Sequence, residues 1–431
     1  MKKLTAQEFE EEILTQVLNR GKADISSIEA SVKKIVVDVR EQGDKALLMY
    51  TEKFDKVRLT ASQLKINEAE IKEAYKKLEK SQITALEKAA ENIASFHKKQ
   101  LRAKWTMEIT EGATLGQVTR PLASVGVYVP GGKAAYPSSV LMCAVPAKVA
   151  GVEKIVVCSP PRKGGDIDAA LLVAADIAGV SGVYQVGGAQ AIAAMAYGTN
   201  TIPNVDKIVG PGNVFVTAAK LEVNKDVAID VPAGPSEVLV IADETGKASF
   251  IASDLLAQAE HDLQAWAVLI TTSKTLAMAV KEQVYRQMKT LSRTEIIKSS
   301  IKKRGLIVTV NSIEEAVRYS NMIAPEHLQI QTKNPTEVLS KIRNAGAVFL
   351  GGYSPVAFGD YSSGLNHVLP TAGYAKIYSG LSSLDFVKIM NFIQCTKEGY
   401  QNLKETAVTI AEMEGFDAHA KSVTTREEEQ K

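Results

Sequence analysis

The chain has 431 residues, 45% hydrophobic and 23% charged, with 51 Lys and Arg against 49 Asp and Glu, a formal net charge of +2. This is the make-up of a globular protein with room for two or three domains, and so small a net charge gives no electrostatic case for a nucleic-acid or membrane partner. Cys143, Cys158 and Cys395 are odd in number and far apart, which argues against a disulfide framework and for a reducing, cytoplasmic setting; neither a signal peptide nor a membrane span is expected.

In chain order, the first hundred residues read as charged helices. Within SSIEASVKKIVVDVREQG, Ile28, Val32, Ile35, Val36 and Val39 recur at helical spacing. Gly43 is expected to stop that helix and Asp44 to cap the next. Asn67 with Glu70 three residues on marks a capping-box start, and a long helix is expected from about Ser81 to Lys99. Near residue 116 the texture changes. ASVGVYV, EKIVVC, GVYQV and VDKIV read as strands, and SSVLMCAVPAKVA, DIDAALLVAADIA, AQAIAAMAY and VFVTAAKLEV as the helices between them, up to about residue 236. A second run follows, with EVLVIAD, AWAVLITTS and GLIVTV as strands and KASFIASDLLAQAEHD and KTLAMAVKEQVYRQMKTL as helices. Short apolar strands alternating with helices predict α/β architecture with parallel sheets covered on both faces. After about residue 378, helical segments lead into a charged tail.

Four glycine-bearing turns follow predicted strands: Pro130-Gly131-Gly132, Gly187-Gly188-Ala189-Gln190, Gly210-Pro211-Gly212-Asn213 and Ala233-Gly234-Pro235-Ser236. In a parallel sheet such turns lie at the carboxyl ends of strands, where ligands bind, and glycine lets main chain approach a ligand closely. Each alone is equally a tight strand-to-helix turn. None matches G-x-G-x-x-G, so the conventional dinucleotide fingerprint is absent. Together they favour a nucleotide or polar-ligand cleft.

Of five histidines, His97 lies in a basic helix and is expected to be solvated. The other four have acidic company: Glu260-His261-Asp262, Glu326-His327, Asp360 with His367, and Asp417 near His419. Read as helix, AQAEHD puts Gln258 and His261 on one face, the spacing of Glu-x-x-His metal half-sites. With Asp360, His367, Glu414 and His419, the donors are imidazole and oxygen without thiolate, a set suited to zinc or manganese; a solvated helix face stays open as the alternative. Pro325 ends any preceding helix, so Glu326 and His327 are expected on a turn before the strand-like LQI, where a carboxylate and an imidazole can handle successive proton transfers.

The segments VYVPGG, QVGGAQAIAAMAYGT, DKIVGPGNVFV, DVPAGPSEVLVIAD, DLLAQAEHD, APEHLQI, GDYSSGLNHVLPT and EGFDAHAKSV, in that order, resemble the histidinol dehydrogenase family. The resemblance implies an α/β fold of two Rossmann-like, aldehyde-dehydrogenase-like domains: residues 23–127 with 237–378 as the first, 128–236 as the second, and helical terminal segments at 1–22 and 379–431. It implies NAD-dependent oxidation of L-histidinol to L-histidine through a bound aldehyde. One zinc per subunit would be held by Gln258, His261, Asp360 and His419, with Glu326 and His327 as the proton-handling pair. Substrate contacts would come from Ser236, Gln258, His261, His327, Asp360, His367, Glu414 and His419, and NAD contacts from Tyr128, Gln190 and Asn213. A homodimer with exchanged terminal segments is implied, bringing Glu414 and His419 to the partner's site. Two departures are visible: Leu263 stands where many relatives have Pro, and Val356 where many have Glu. The residues alone leave three rivals: a metal-dependent hydrolase using Glu326 on water, a non-enzymatic ligand binder, and a relative acting on another amino alcohol.

Overall fold

The computed structural model describes residues 1–20, 26–131, 135–231 and 234–428. In chain order its strands are β1 (Lys2–Thr5), β2 (Trp105–Thr110), β3 (Ala113–Pro121), β4 (Ser124–Tyr128), β5 (Lys154–Cys158), β6 (Gly182–Tyr184) and β7 (Lys207–Val209). They continue with β8 (Ala228–Ile229), β9 (Glu237–Ala242), β10 (Trp266–Thr271), β11 (Gly305–Thr309), β12 (His327–Gln331), β13 (Ala347–Leu350) and β14 (Val387–Cys395). The chain divides into two compact units, Met1–Gln100 with Leu122–Phe386, and Leu101–Pro121 with Val387–Lys431.

The first unit contains two parallel sheets. One has six strands in the order β1-β11-β10-β9-β12-β13, and the other five in the order β6-β5-β4-β7-β8. Every residue of β9, β10 and β12 is buried, as expected of strands with helices on both faces. A polar side chain on such a strand must find a partner or carry a penalty, and β9 and β12 contain four of them: Glu237, His327, Gln329 and Gln331.

Helix Ser26–Gln42 packs Val32, Ile35, Val36 and Val39 into a core with Tyr128, Val156 and Ile192, while Ile93 of helix Lys80–Lys98 joins one with Val125 and Val157. Helices from residues 26–98 therefore cover the five-stranded sheet. The Asn67–Glu70 capping box forms as expected, Asn67 accepting from the Glu70 amide at 3.0 Å. Asp44 does not cap: Gly43, at φ +55°, is the cap residue, and the Asp44 carboxylate instead accepts from Thr201 Oγ1 at 2.6 Å. His97 is fully buried, contrary to expectation. Its Nδ1 pairs with Gln100 Oε1 at 2.7 Å, and burial lowers its pKa.

The amino-terminal segment is not wholly helical, because β1 docks beside β11 with Leu4 buried. In the second unit, β14 runs antiparallel to β3 across nine residue pairs, and β3 pairs with β2 across a bulge near Glu108. Helical segments were expected after residue 378, but helices Lys397–Met413 and Asp417–Glu428 begin only past this strand. β1 and β14 owe their conformation to distant partners, and short segments with mixed polarity do not announce such pairing. Among the described residues no helix is long and apolar enough to cross a membrane.

Candidate active site

The polar centre of the six-stranded sheet lies at the starts of β9 and β12. Helix Ile313–Ile323 ends at Ala324, which adopts a left-handed conformation at φ +50° before Pro325 breaks the helix. The chain then turns, and β12 opens on His327, so the expected turn ends one residue before the histidine. Glu326 and His327 are both buried, at 5% and 4% exposure, and both rest on the main chain of Glu237. The Glu237 amide donates to Glu326 Oε2 at 2.8 Å, and His327 Nδ1 lies 3.1 Å from the Glu237 carbonyl oxygen. A carbonyl can only accept, so Nδ1 carries the proton and Nε2 is left bare in the neutral ring. Nε2 has no hydrogen-bond partner among the described residues and lies 3.7 Å from Asp360 Oδ1, an ion-pair distance too long for a hydrogen bond.

Burial opposes charge on the His327 ring, but the carboxylates of Glu326 and Asp360 outweigh it and hold its pKa well above the ordinary histidine range. Asp360, on the one-turn helix Val356–Tyr361, is pushed up by burial. The imidazoles of His327, His367 and His261 more than offset this and hold its carboxyl below the usual range. His367 is tied in place, with Nδ1 3.1 Å from the Asp360 carbonyl and Nε2 3.3 Å from Ser139 Oγ. Burial lowers its pKa.

AQAEHD is helical only in part. The helix ends at Ala259, Glu260 caps it, and His261 is exposed in the following turn. The His261 amide still donates to the Gln258 carbonyl at 3.2 Å, so one more turn preserves the i, i+3 relation. Gln258 is buried at 3% exposure, and its Nε2 has no hydrogen-bond partner among the described residues. The Gln258 side-chain oxygen, a half-buried carboxylate at Asp360 and the imidazole of His261 form a donor set that fits zinc. Among the described residues no three His, Cys, Asp or Glu side chains converge as a metal cage; in this unit the expected set offers only two of those types, His261 and Asp360, beside Gln258. Ser236 precedes β9, and its carbonyl accepts from the Trp266 amide at 3.1 Å. Glu414 and His419 are exposed residues of the second unit. Glu414 caps helix Lys397–Met413, and the His419 ring lies 5.3 Å from that of Phe416.

The expected NAD residues lie at the carboxyl edge of the five-stranded sheet. Tyr128 ends β4, and its hydroxyl accepts from the Gly188 amide at 3.1 Å; burial pushes the phenol up to about 12. Gln190, in the first turn of helix Gly188–Tyr197, is 1% exposed, with neither amide atom hydrogen-bonded among the described residues. This buried, unpartnered amide fits a nucleotide-binding role. Asn213 caps helix Val214–Val223 through Oδ1, which accepts from Phe215 and Val216 at 3.0 and 3.1 Å. Gly210, at φ +112°, comes so close to the Tyr128 carbonyl that a Cβ would collide with it. Gly132 and Ala233, of the other two turns, lie outside the described residues.

Sequence reasoning missed three residues that shape this site: Glu237, Arg20 and Ser139. For Glu237 a signal existed, since a lone carboxylate opening an otherwise apolar strand needs a buried partner. The two departures are benign here. Val356 packs in the core of the six-stranded sheet, and Leu263 is 46% exposed. Cys143 and Cys158 are fully buried with thiols pushed up by burial, which suits structural rather than nucleophilic cysteines.

A family model described as histidinol dehydrogenase matches residues 18–427. The histidinol dehydrogenase of Methanothermobacter thermautotrophicus is 51% identical over 419 residues, covering 97% of this chain and 98% of that protein. That of Clostridium acetobutylicum is 51% identical over 407 residues, covering 94% of each. The crystal structure of histidinol dehydrogenase from Elizabethkingia anophelis, 39% identical, matches with a TM-score of 0.94 over 100% of this chain and 98% of that one. The chain belongs to the histidinol dehydrogenase family.

Proposed function

We propose that this oxidoreductase of histidine biosynthesis converts L-histidinol to L-histidine in two NAD-dependent oxidations, through L-histidinaldehyde kept on the enzyme, with Glu326 and His327 handling the protons. The observation that carries this reading is the shared mount of the two side chains on the Glu237 main chain, with His327 Nδ1 at the carbonyl and Nε2 turned toward Asp360. In its neutral form, with Asp360 committed to the metal it would hold, His327 takes the hydroxyl proton at Nε2 as the alcohol carbon gives up its hydride. Glu326 takes a proton from water as the water oxygen adds to the aldehyde carbon, and the protonated His327 gives its proton to the former carbonyl oxygen, forming the hydrate and leaving the ring neutral again. His327 then takes a hydrate hydroxyl proton as the second hydride leaves, and the carboxylic acid forms. A general base of this kind contributes about 10²–10⁴-fold.

NAD, when bound, would supply the hydride acceptor, and zinc, when bound, would supply a Lewis-acidic anchor that positions histidinol. Gln258, His261 and Asp360 would hold the metal with His419, and Tyr128, Gln190 and Asn213 would contact NAD. Ser236, His367 and Glu414 complete the substrate contacts in this reading. The active form is a cytoplasmic homodimer with exchanged terminal segments, each chain lending Glu414 and His419 to its partner's site. The fit of the Gln258, His261 and Asp360 donors to zinc supports the metal assignment.

The test is an assay with purified protein, L-histidinol and NAD, with chelator and with zinc restored. Two NADH per histidinol are expected, lost with chelator and regained with zinc. Histidinol turnover without NADH would overturn the reading in favour of a metal-dependent hydrolase.

A further inference from the structure

Glu237 holds the two proton-handling residues through its main chain, and its own side chain is held in turn. Arg20 Nε donates to Glu237 Oε2, and the Ala372 amide donates to Oε1 at 2.7 Å. The rest of the Arg20 guanidinium is committed to main chain, Nη1 donating to the Val17 carbonyl and Nη2 to that of Ile323, both at 2.9 Å. The side chains of this ion pair are 2% and 4% exposed.

Burial on that scale is poor evidence of stabilisation, because desolvating two charges offsets most of their attraction. Two backbone features point to a different role. Among the described residues, the non-glycine residues with positive φ are Lys56, Ala324 and Ala372. Two of these three adjoin the ion pair: Ala324 follows the Ile323 carbonyl that Arg20 grips, and Ala372 donates to Glu237. Alanine pays for the left-handed region, and Ala324 also precedes a proline. Strained backbone of this kind persists where surrounding bonds over-determine it, and it gathers at functional sites. Here one strained residue leads directly into Glu326 and His327, and the other closes the segment that carries His367.

We propose that Arg20 and Glu237 form a positioning pair for the Glu326–His327 dyad, Arg20 locking the Glu237 carboxylate so that the Glu237 main chain fixes the Glu326 carboxylate and the His327 tautomer. Neither residue touches substrate. A residue from the amino-terminal segment thereby sets the geometry of a base more than three hundred positions later. The inference rests on the assignment of Glu326 and His327 as the proton-handling pair.

The test is a double-mutant cycle in the zinc-loaded enzyme with L-histidinol and NAD. Arg20→Met should lower kcat about 10- to 100-fold, the scale of outer-shell partners, with KM for histidinol and bound zinc unchanged. Arg20→Lys, which keeps the charge but not the fork, should fall between, and it serves if Arg20→Met fails to fold. In the His327→Asn background, Arg20→Met should cost almost nothing further, since residues acting as a unit are not additive. Losses that multiply, or a kcat that drops only in proportion to unfolded protein, would overturn the positioning role. If His327→Asn alone leaves turnover intact, the underlying assignment of the base fails instead.

Discussion

At the five-stranded sheet the side chains proposed to contact NAD are neutral and lie at or just beyond the carboxyl ends of β4, β6 and β7: Tyr128, Gln190 and Asn213. At the six-stranded sheet Glu237, Glu326 and His327 are ionisable and lie at the amino ends of β9 and β12. The rule that ligands gather at the carboxyl ends of parallel strands describes the first sheet and misses the second. Both regions nevertheless use a buried ion pair to hold main chain. Lys220 donates to Asp230 Oδ1 at 2.6 Å and to the Gly210 carbonyl, while Asp230 Oδ2 accepts from the Gly210 amide at 2.6 Å. Arg20 and Glu237 do the same beneath the acid–base pair. Binding a dinucleotide needs shape and neutral hydrogen bonds, whereas moving protons needs groups that change charge.

This contrast can be broken by experiment. The largest effect is expected at His327: His327→Asn should lower kcat by about 10²–10⁴-fold while bound zinc stays near the wild-type level. Equal retention of turnover would remove proton chemistry from the six-stranded sheet. Next, Gln258→Ala should weaken zinc binding by roughly 10- to 100-fold, read by competition with a chelator, with the melting temperature of the metal-free protein little changed. At the other sheet, Gln190→Ala should raise KM for NAD several-fold and leave KM for histidinol alone, a factor within the roughly 1–3 kcal/mol typical of one buried amide left without its partner. If histidinol binding weakens as much as NAD binding, the division between the sheets fails.

The smallest effect concerns Asp254, buried on the same helix as Gln258 and 3.4 Å from Gln331 Nε2. Burial raises its carboxyl to about 6, well above the ordinary aspartate range. The folded protein therefore binds this proton more tightly than the unfolded chain. The stability it contributes is fully present below about pH 4 and is lost as pH rises through about 6. Asp254→Asn stays neutral throughout, so its melting temperature should exceed wild type at pH 8, by the equivalent of roughly 3 kcal/mol, and match it near pH 4. A gain independent of pH would locate the penalty elsewhere.

Much of this was legible in the residues themselves. Strands such as EVLVIAD and helices such as KTLAMAVKEQVYRQ carry strong apolar patterns, and the turns at Gly187-Gly188 and Gly210-Pro211 fell where the alternation placed them. Gln258 and His261 keep their predicted relation although the helix stops between them, because one further turn continues the same backbone path. Other features were invisible locally. β1 and β14 exist through pairing with strands hundreds of residues away. His97 sits in a basic segment yet is buried, because helix packing, not its neighbours in sequence, decides which face meets the core.

The sequence by itself determined which side chains are available and the local elements that carry them: the Glu326–His327 pair after a helix-breaking proline, the neutral amides at the helix starts, and the donors without thiolate. Only the tertiary structure decided how the pair is held. Arg20, Glu237 and Ala372 meet around one carboxylate, and the Glu237 amide and carbonyl meet Glu326 and His327. Hydrogen bonds of this kind depend on distances between segments remote in sequence, and only a packed core sets them.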